Sequence, residues 1–217
     1  MKTDTQLRDD IQAELTWAPD VKSSDIGVIV KDGVATLTGH LASYAEKYAV
    51  ERAAQRVHGV KALAVELTVK LPFDNQRTDA DIALAAERAL EWNVLVPDGK
   101  IRPMVEKGWL TLSGEVEWEY QRSAAEIAVR NLMGVTGVSN LVKVKPKVTP
   151  ADVEQKIHEA LSRQADREAR KLSILVDGSH VTLRGTVHSW TERDAVQGAA
   201  WATPGVTVVV NDLLVDA

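Results

Sequence analysis

Cysteine is absent from this 217-residue chain, which excludes disulfides, thiolate nucleophiles and cysteine-based zinc sites. Aromatic residues make up only 5% of it and are lopsided, six tryptophans against one phenylalanine. No apolar run approaches the roughly 18 residues that a membrane-spanning helix needs. The first ten residues carry no secretory signal either, so a cytoplasmic protein is expected. Positive charge is not in excess: 26 basic against 31 acidic residues leave a net charge of −5. A protein that neutralises nucleic-acid phosphates has the opposite balance, so no nucleic acid is expected as a partner.

Catalytic motifs are missing too. There is no G-x-S-x-G, and neither H-E-x-x-H nor H-x-x-x-H occurs among His40, His58, His158, His180 and His188. Only the last two, which flank a strand and the next helix start, could approach one another. The glycines fall in turns rather than in a phosphate-binding loop, and carboxylate pairs such as Asp9-Asp10 read as a solvated helix face. The expectation is a protein that is not an enzyme and has no small-molecule substrate.

What the chain does have is internal repetition. Asp4–Val69, Asp79–Val144 and Pro150–Val215 align without a gap as three rows of 66 residues, with ten columns identical in all three. Thr36-Leu37-x-Gly39 recurs as Thr111-Leu112-x-Gly114 and Thr182-Leu183-x-Gly185. Gly59-Val60 recurs as Gly134-Val135 and Gly205-Val206. Between these lie Ala49 and Ala53, Ala124 and Ala128, and Ala195 and Ala199, with Leu15, Leu90, Leu161 and Val69, Val144, Val215 as outer markers. The resulting domains are 1–70, 79–145 and 150–217, with linkers 71–78 and 146–149; the shorter linker should restrain its two repeats more.

Each row has the same order. Leu7, Ile11 and Leu15 lie four apart and predict a helix, as do Ile82, Ala86, Leu90 and Val153, Ile157, Leu161. Two β-branched runs follow, Ile26–Val30 and Val34–Thr38 in the first repeat, with a turn at Lys31-Asp32-Gly33; Asp177-Gly178 is the matching turn signal in the third. A second helix then starts at Ser43-x-x-Glu46 and Ser189-x-x-Glu192, both capping-box patterns, and at Trp118-x-x-Gln121, where the cap is expected to be weaker or built differently. The Gly-Val step is expected to end that helix, and a final strand runs, for example, over Val206–Val210 with Leu213–Val215. This predicts an α+β fold of three tandem αββαβ modules, each a three-stranded sheet packed against two helices. The second and last strands should run parallel through a right-handed crossover. A 66-residue unit is marginal alone, so contacts between repeats are expected.

On these residues the chain resembles the BON family, a bacterial domain named from osmotically induced and nodulation proteins. The L-x-G, the A-x-x-x-A helix and the G-V…N…V of the last strand carry the resemblance. Asn140 and Asn211 match the family's asparagine, whereas the first repeat has Val65 there. The resemblance implies the αββαβ fold and an association with osmotic or envelope stress. It also implies two kinds of partner: anionic phospholipid at a membrane surface or, by analogy with a cytoplasmic relative, potassium ion. Other macromolecules remain possible partners, and K⁺ is the sole candidate cofactor.

The tryptophans are the remaining candidates. Trp17 and Trp92 share a column just after the first helix and are expected to cover the end of the core. Trp118, Trp190 and Tyr44 cluster at the start of the second helix. They are the candidate lipid- or partner-binding residues, with a hydrophobic staple or an inter-repeat contact as the alternative.

Overall fold

A computed structural model describes residues 2–145, 172–203 and 205–215. The helix expected over Val153, Ile157 and Leu161, with His158 and the 146–149 linker, lies outside the described residues.

In repeat 1, helix α1 (Asp4–Trp17) precedes strands β1 (Ile26–Lys31) and β2 (Val34–Leu41), helix α2 (Tyr44–Gln55) and strand β3 (Ala62–Val69). Repeat 2 follows as α3 (Asp79–Glu91), β4 (Ile101–Glu106), β5 (Trp109–Val116), α4 (Glu119–Arg130), β6 (Gly137–Asn140) and β7 (Lys143–Val144). Repeat 3 shows β8 (Leu172–Asp177), β9 (His180–Val187), α5 (Trp190–Trp201) and β10 (Val208–Val215). The first two strands of each repeat pair antiparallel. The last runs parallel to the second, so the second strand is central. The final strand of repeat 3 runs unbroken over Val208–Val215, beginning two residues later than expected. No described helix is long and apolar enough to cross a membrane.

The core of repeat 1 is built as the periodicity predicts. Leu7, Ile11 and Leu15 are buried with Leu37, Leu41, Val50 and Val60. Repeat 2 buries Ile82, Ala86 and Leu90 with Leu110, Leu112 and Val135. On the second helix Ala53, Ala124 and Ala199 are buried; with no side chain beyond Cβ, they let that helix lie close on the sheet.

Three local expectations need correction. The second helices end at Gln55, Arg130 and Trp201, and their caps Arg56 and Ala202 stay right-handed. Gly59 and Gly134 therefore sit beyond the helix end, at φ of 96° and 88°. There a Cβ would meet Leu7 Cδ2 at 3.1 Å or Ile82 Cδ1 at 2.8 Å. The glycine thus turns the chain where the first helix crosses, rather than capping the second. The capping boxes are also displaced. Ser43 and Ser189 accept from the amides of Glu46 and Glu192, but the glutamates reach back one residue further, to the amides of Ala42 and His188. At Trp118 the indole has no acceptor, and Gln121 Oε1 alone accepts from the amides of Glu117 and Trp118. Finally, His180 and His188 stand at opposite ends of β9, which keeps them apart by the length of an eight-residue strand.

One device was not legible beforehand. The Asp4 carboxylate accepts from the amides of Asp32 and Gly33, in the β1–β2 turn, at 2.8 and 3.0 Å. Asp79 does the same for Lys107 and Gly108. The first residue of α1 and of α3 thereby clamps a turn 28 positions away, satisfying amides that a turn leaves unpaired.

Candidate functional site

The second helices bring the repeats together. By the repeat alignment Tyr44, Glu119 and Trp190 occupy one column, the first residue of α2, α4 and α5. Tyr44 packs against the core of repeat 2. Burial and the charges of Glu126 and Glu51 push its phenol pKa up. Trp190 reaches repeat 1, its indole N–H donating to the Val60 carbonyl at 3.0 Å. Repeat 2 meets repeat 3 where the Arg122 guanidinium lies 5.3 Å from the centre of the Trp201 ring, and Trp201 packs against both cores. The contacts thus run from repeat 1 to 2, 2 to 3 and 3 to 1, with the same helix face used each time.

Further pairs dress these seams. Arg130 lies over the Tyr48 ring at 4.0 Å, an arrangement that contributes about 0.5–2 kcal/mol. His58 Nδ1 donates to the His188 carbonyl at 2.9 Å. Arg52 and Asp194 pair at 3.1 Å with both side chains about half exposed, so that bridge contributes little.

Of the candidate residues, Tyr44 and Trp190 are therefore placed in seams between repeats, in line with the inter-repeat alternative. Trp118 is half-buried and stacks on Tyr120, with ring centroids 6.5 Å apart. The other tryptophan column departs from expectation. Trp17 and Trp92 do not cover the core: they are 84% and 89% exposed. Each stands at the end of a first helix whose buried face has already closed with Leu15 or Leu90, so the ring projects past the last turn. Val94, Leu95 and Phe73 are exposed as well.

The asparagine column ties strand to helix. Asn140 Nδ2 donates to the Arg122 carbonyl and to Glu126, and its Oδ1 accepts from the Val142 amide. Asn211 repeats this with Gln197 and the Leu213 amide. Val65 in repeat 1 has no group for either bond. Among the described residues no group of three or more His, Asp or Glu side chains is placed to hold a metal ion.

The Glu119 column position differs chemically from its equivalents. Burial raises its carboxyl above the usual range, opposed by the charge and hydrogen bonds of Arg122. A carboxyl with a raised folded pKa is best tolerated protonated. Its favourable contribution is complete below the unfolded value, about pH 4, and is lost as pH rises through the folded value. Glu119→Gln is therefore expected to raise the melting temperature at neutral pH. The gain should shrink on acidification, as melts across the pH range would show.

Osmotically-inducible protein Y of Escherichia coli (strain K12) is 27% identical over 146 residues, covering 65% of this chain and 73% of that protein. CdsD, a structural protein of the type III secretion system of Chlamydia trachomatis, aligns over 96% of this chain and 91% of its own at 15% identity, with a TM-score of 0.27, too low a superposition to carry an argument. The BON domain family matches at residues 3–70, 78–146 and 150–217. With every repeat matched, the chain belongs to the BON domain family and carries three copies in tandem.

Proposed function

We propose that this is a non-enzymatic, stress-associated binding protein that meets a phospholipid membrane surface through its exposed tryptophans. The observation that carries the reading is the pair Trp17 and Trp92, in one repeat column and both almost fully exposed. An indole combines a large apolar ring with a polar N–H, the combination suited to a headgroup interface. The stress association is supported by the family and by the osmotically inducible relative. Glu14, Asp20, Glu87 and Glu91 lie close in sequence to the two indoles, so attraction specific to anionic lipid is not expected. Potassium binding has no such observation behind it among the described residues.

Liposome co-sedimentation tests this. The protein is expected on vesicles of zwitterionic lipid as well as on vesicles containing anionic lipid, with little change on adding salt. Each indole buried at the interface contributes about 1.5–3 kcal/mol, so Trp17→Ala with Trp92→Ala should reduce binding at least tenfold while leaving the fold intact. Absence of wild-type protein from both kinds of vesicle would reject the membrane reading and leave a macromolecular partner.

A further inference from the structure

We propose that the seam between repeats 2 and 3 is a binding cleft for a short neutral oligosaccharide, a site separate from the exposed tryptophans. The repeat alignment shows why a cleft forms at this seam. Asp194 and Arg52 face each other across the seam between repeats 3 and 1. The same two columns hold Tyr48 and Ile127 between repeats 1 and 2, but Ser123 and Gly198 between repeats 2 and 3. Two large side chains are thus replaced by a hydroxymethyl group and a hydrogen. At the head of the seam the column that supplies Tyr44 and Trp190 elsewhere supplies Glu119. What remains is a cleft of about 900 Å³ with Ser123 and Gly198 in its lining, within the range of small-molecule sites.

Its walls have the chemistry of a sugar site. Trp118, Tyr120 and Trp201 line it, and aromatic faces suit the C–H face of a pyranose ring. The charges are internally matched: Glu119 Oε1 accepts from Arg122 at 2.7 Å, and Asp194 is bridged to Arg52. A net cation or anion would find no excess of opposite charge, so a neutral ligand is favoured. Two buried polar atoms lack a partner, the acceptor Glu119 Oε2 on repeat 2 and the donor Trp201 Nε1 on repeat 3. Buried groups of this kind are costly when unpaired. Both atoms are closed to solvent, so a ligand in the cleft meets instead the exposed polar groups of its lining, Ser123 and Asp194, and a hydroxyl, which donates and accepts at once, suits both.

The test titrates the full chain with cellobiose, maltose and chitobiose, followed by calorimetry and tryptophan fluorescence. At least one is expected to bind saturably in the millimolar range or tighter, with an affinity unchanged by salt. A Cβ at Gly198 meets nothing within 4 Å, so a side chain there enters open space. Gly198→Trp should fill the cleft and reduce binding more than tenfold at an undiminished melting temperature, while Gly198→Ala should keep it. If Gly198→Trp does not fold, Ser123→Trp fills the cleft from the other wall. No response to any of the three sugars, binding that survives a folded cleft-filling variant, an affinity that falls steeply with salt, or a response only to short peptides would each overturn the proposal.

Discussion

Gly114→Ala is expected to unfold repeat 2 under conditions where the wild-type chain is folded. Gly114 has φ of 143°, a region that residues with a Cβ rarely enter. A Cβ there would lie 2.1 Å from the Lys100 carbonyl oxygen. That neighbour is backbone at the start of β4 and cannot rotate away. Strain and forced displacement together cost about 3–5 kcal/mol. A unit of this size holds only about 3–10 kcal/mol in total, so most of its stability would be removed. Denaturant melts followed by circular dichroism would show it. The comparison is Gly178→Ala: its φ is also positive, at 59°, but nothing lies within 4 Å, and the cost there should be about 1 kcal/mol. Equal small losses at both positions would mean that β4 does not approach the central strand as described. Gly39, whose Cβ would meet the Asp25 carbonyl oxygen at 2.2 Å, should behave like Gly114.

Trp190→Ala should release repeat 3 from repeat 1. The substitution removes the indole that donates to Val60 and the ring beneath Arg193, 5.1 Å away. Loss of a largely packed tryptophan costs about 2–4 kcal/mol. The contact between repeats 1 and 2 through Tyr44 is untouched, so thermal unfolding should split into two transitions, with repeat 3 melting first. Trp190→Phe restores much of the packing without the N–H and should recover all but about 1 kcal/mol. A single transition, unshifted in Trp190→Ala, would show that this seam does not couple the repeats.

Much of the fold was legible because each repeat states the pattern again. Leu7, Ile11 and Leu15 fixed one helix face, and Ile82, Ala86 and Leu90 fixed it a second time. The β-branched runs and their turns placed the hairpin, and the interposed helix required a parallel third strand. Glycine columns marked the special backbone positions, but not what crowded them. Gly59 reads as a helix cap until Leu7 is seen packed against it, because the crossing helix lies some fifty residues away in sequence. The same distance hid the carboxylate clamps of Asp4 and Asp79, which look like ordinary acidic residues at a helix start.

One aromatic column was misplaced, and the other left between two readings, for a related reason. Hydrophobicity says that an indole prefers burial, not which surface covers it. Trp17 and Trp92 follow helices whose apolar face is complete without them, so they are left exposed. Trp190 and Tyr44 begin helices that meet a neighbouring repeat, and are covered by it. The amino-acid sequence by itself determined the module, its order and its threefold recurrence, since those follow from local periodicity and turn chemistry. Only the tertiary structure decided how one repeat seats on the next: whether a column of Tyr44, Glu119 and Trp190 closes a seam or leaves a cleft depends on side-chain volume at positions from two different modules, and no local pattern brings those together.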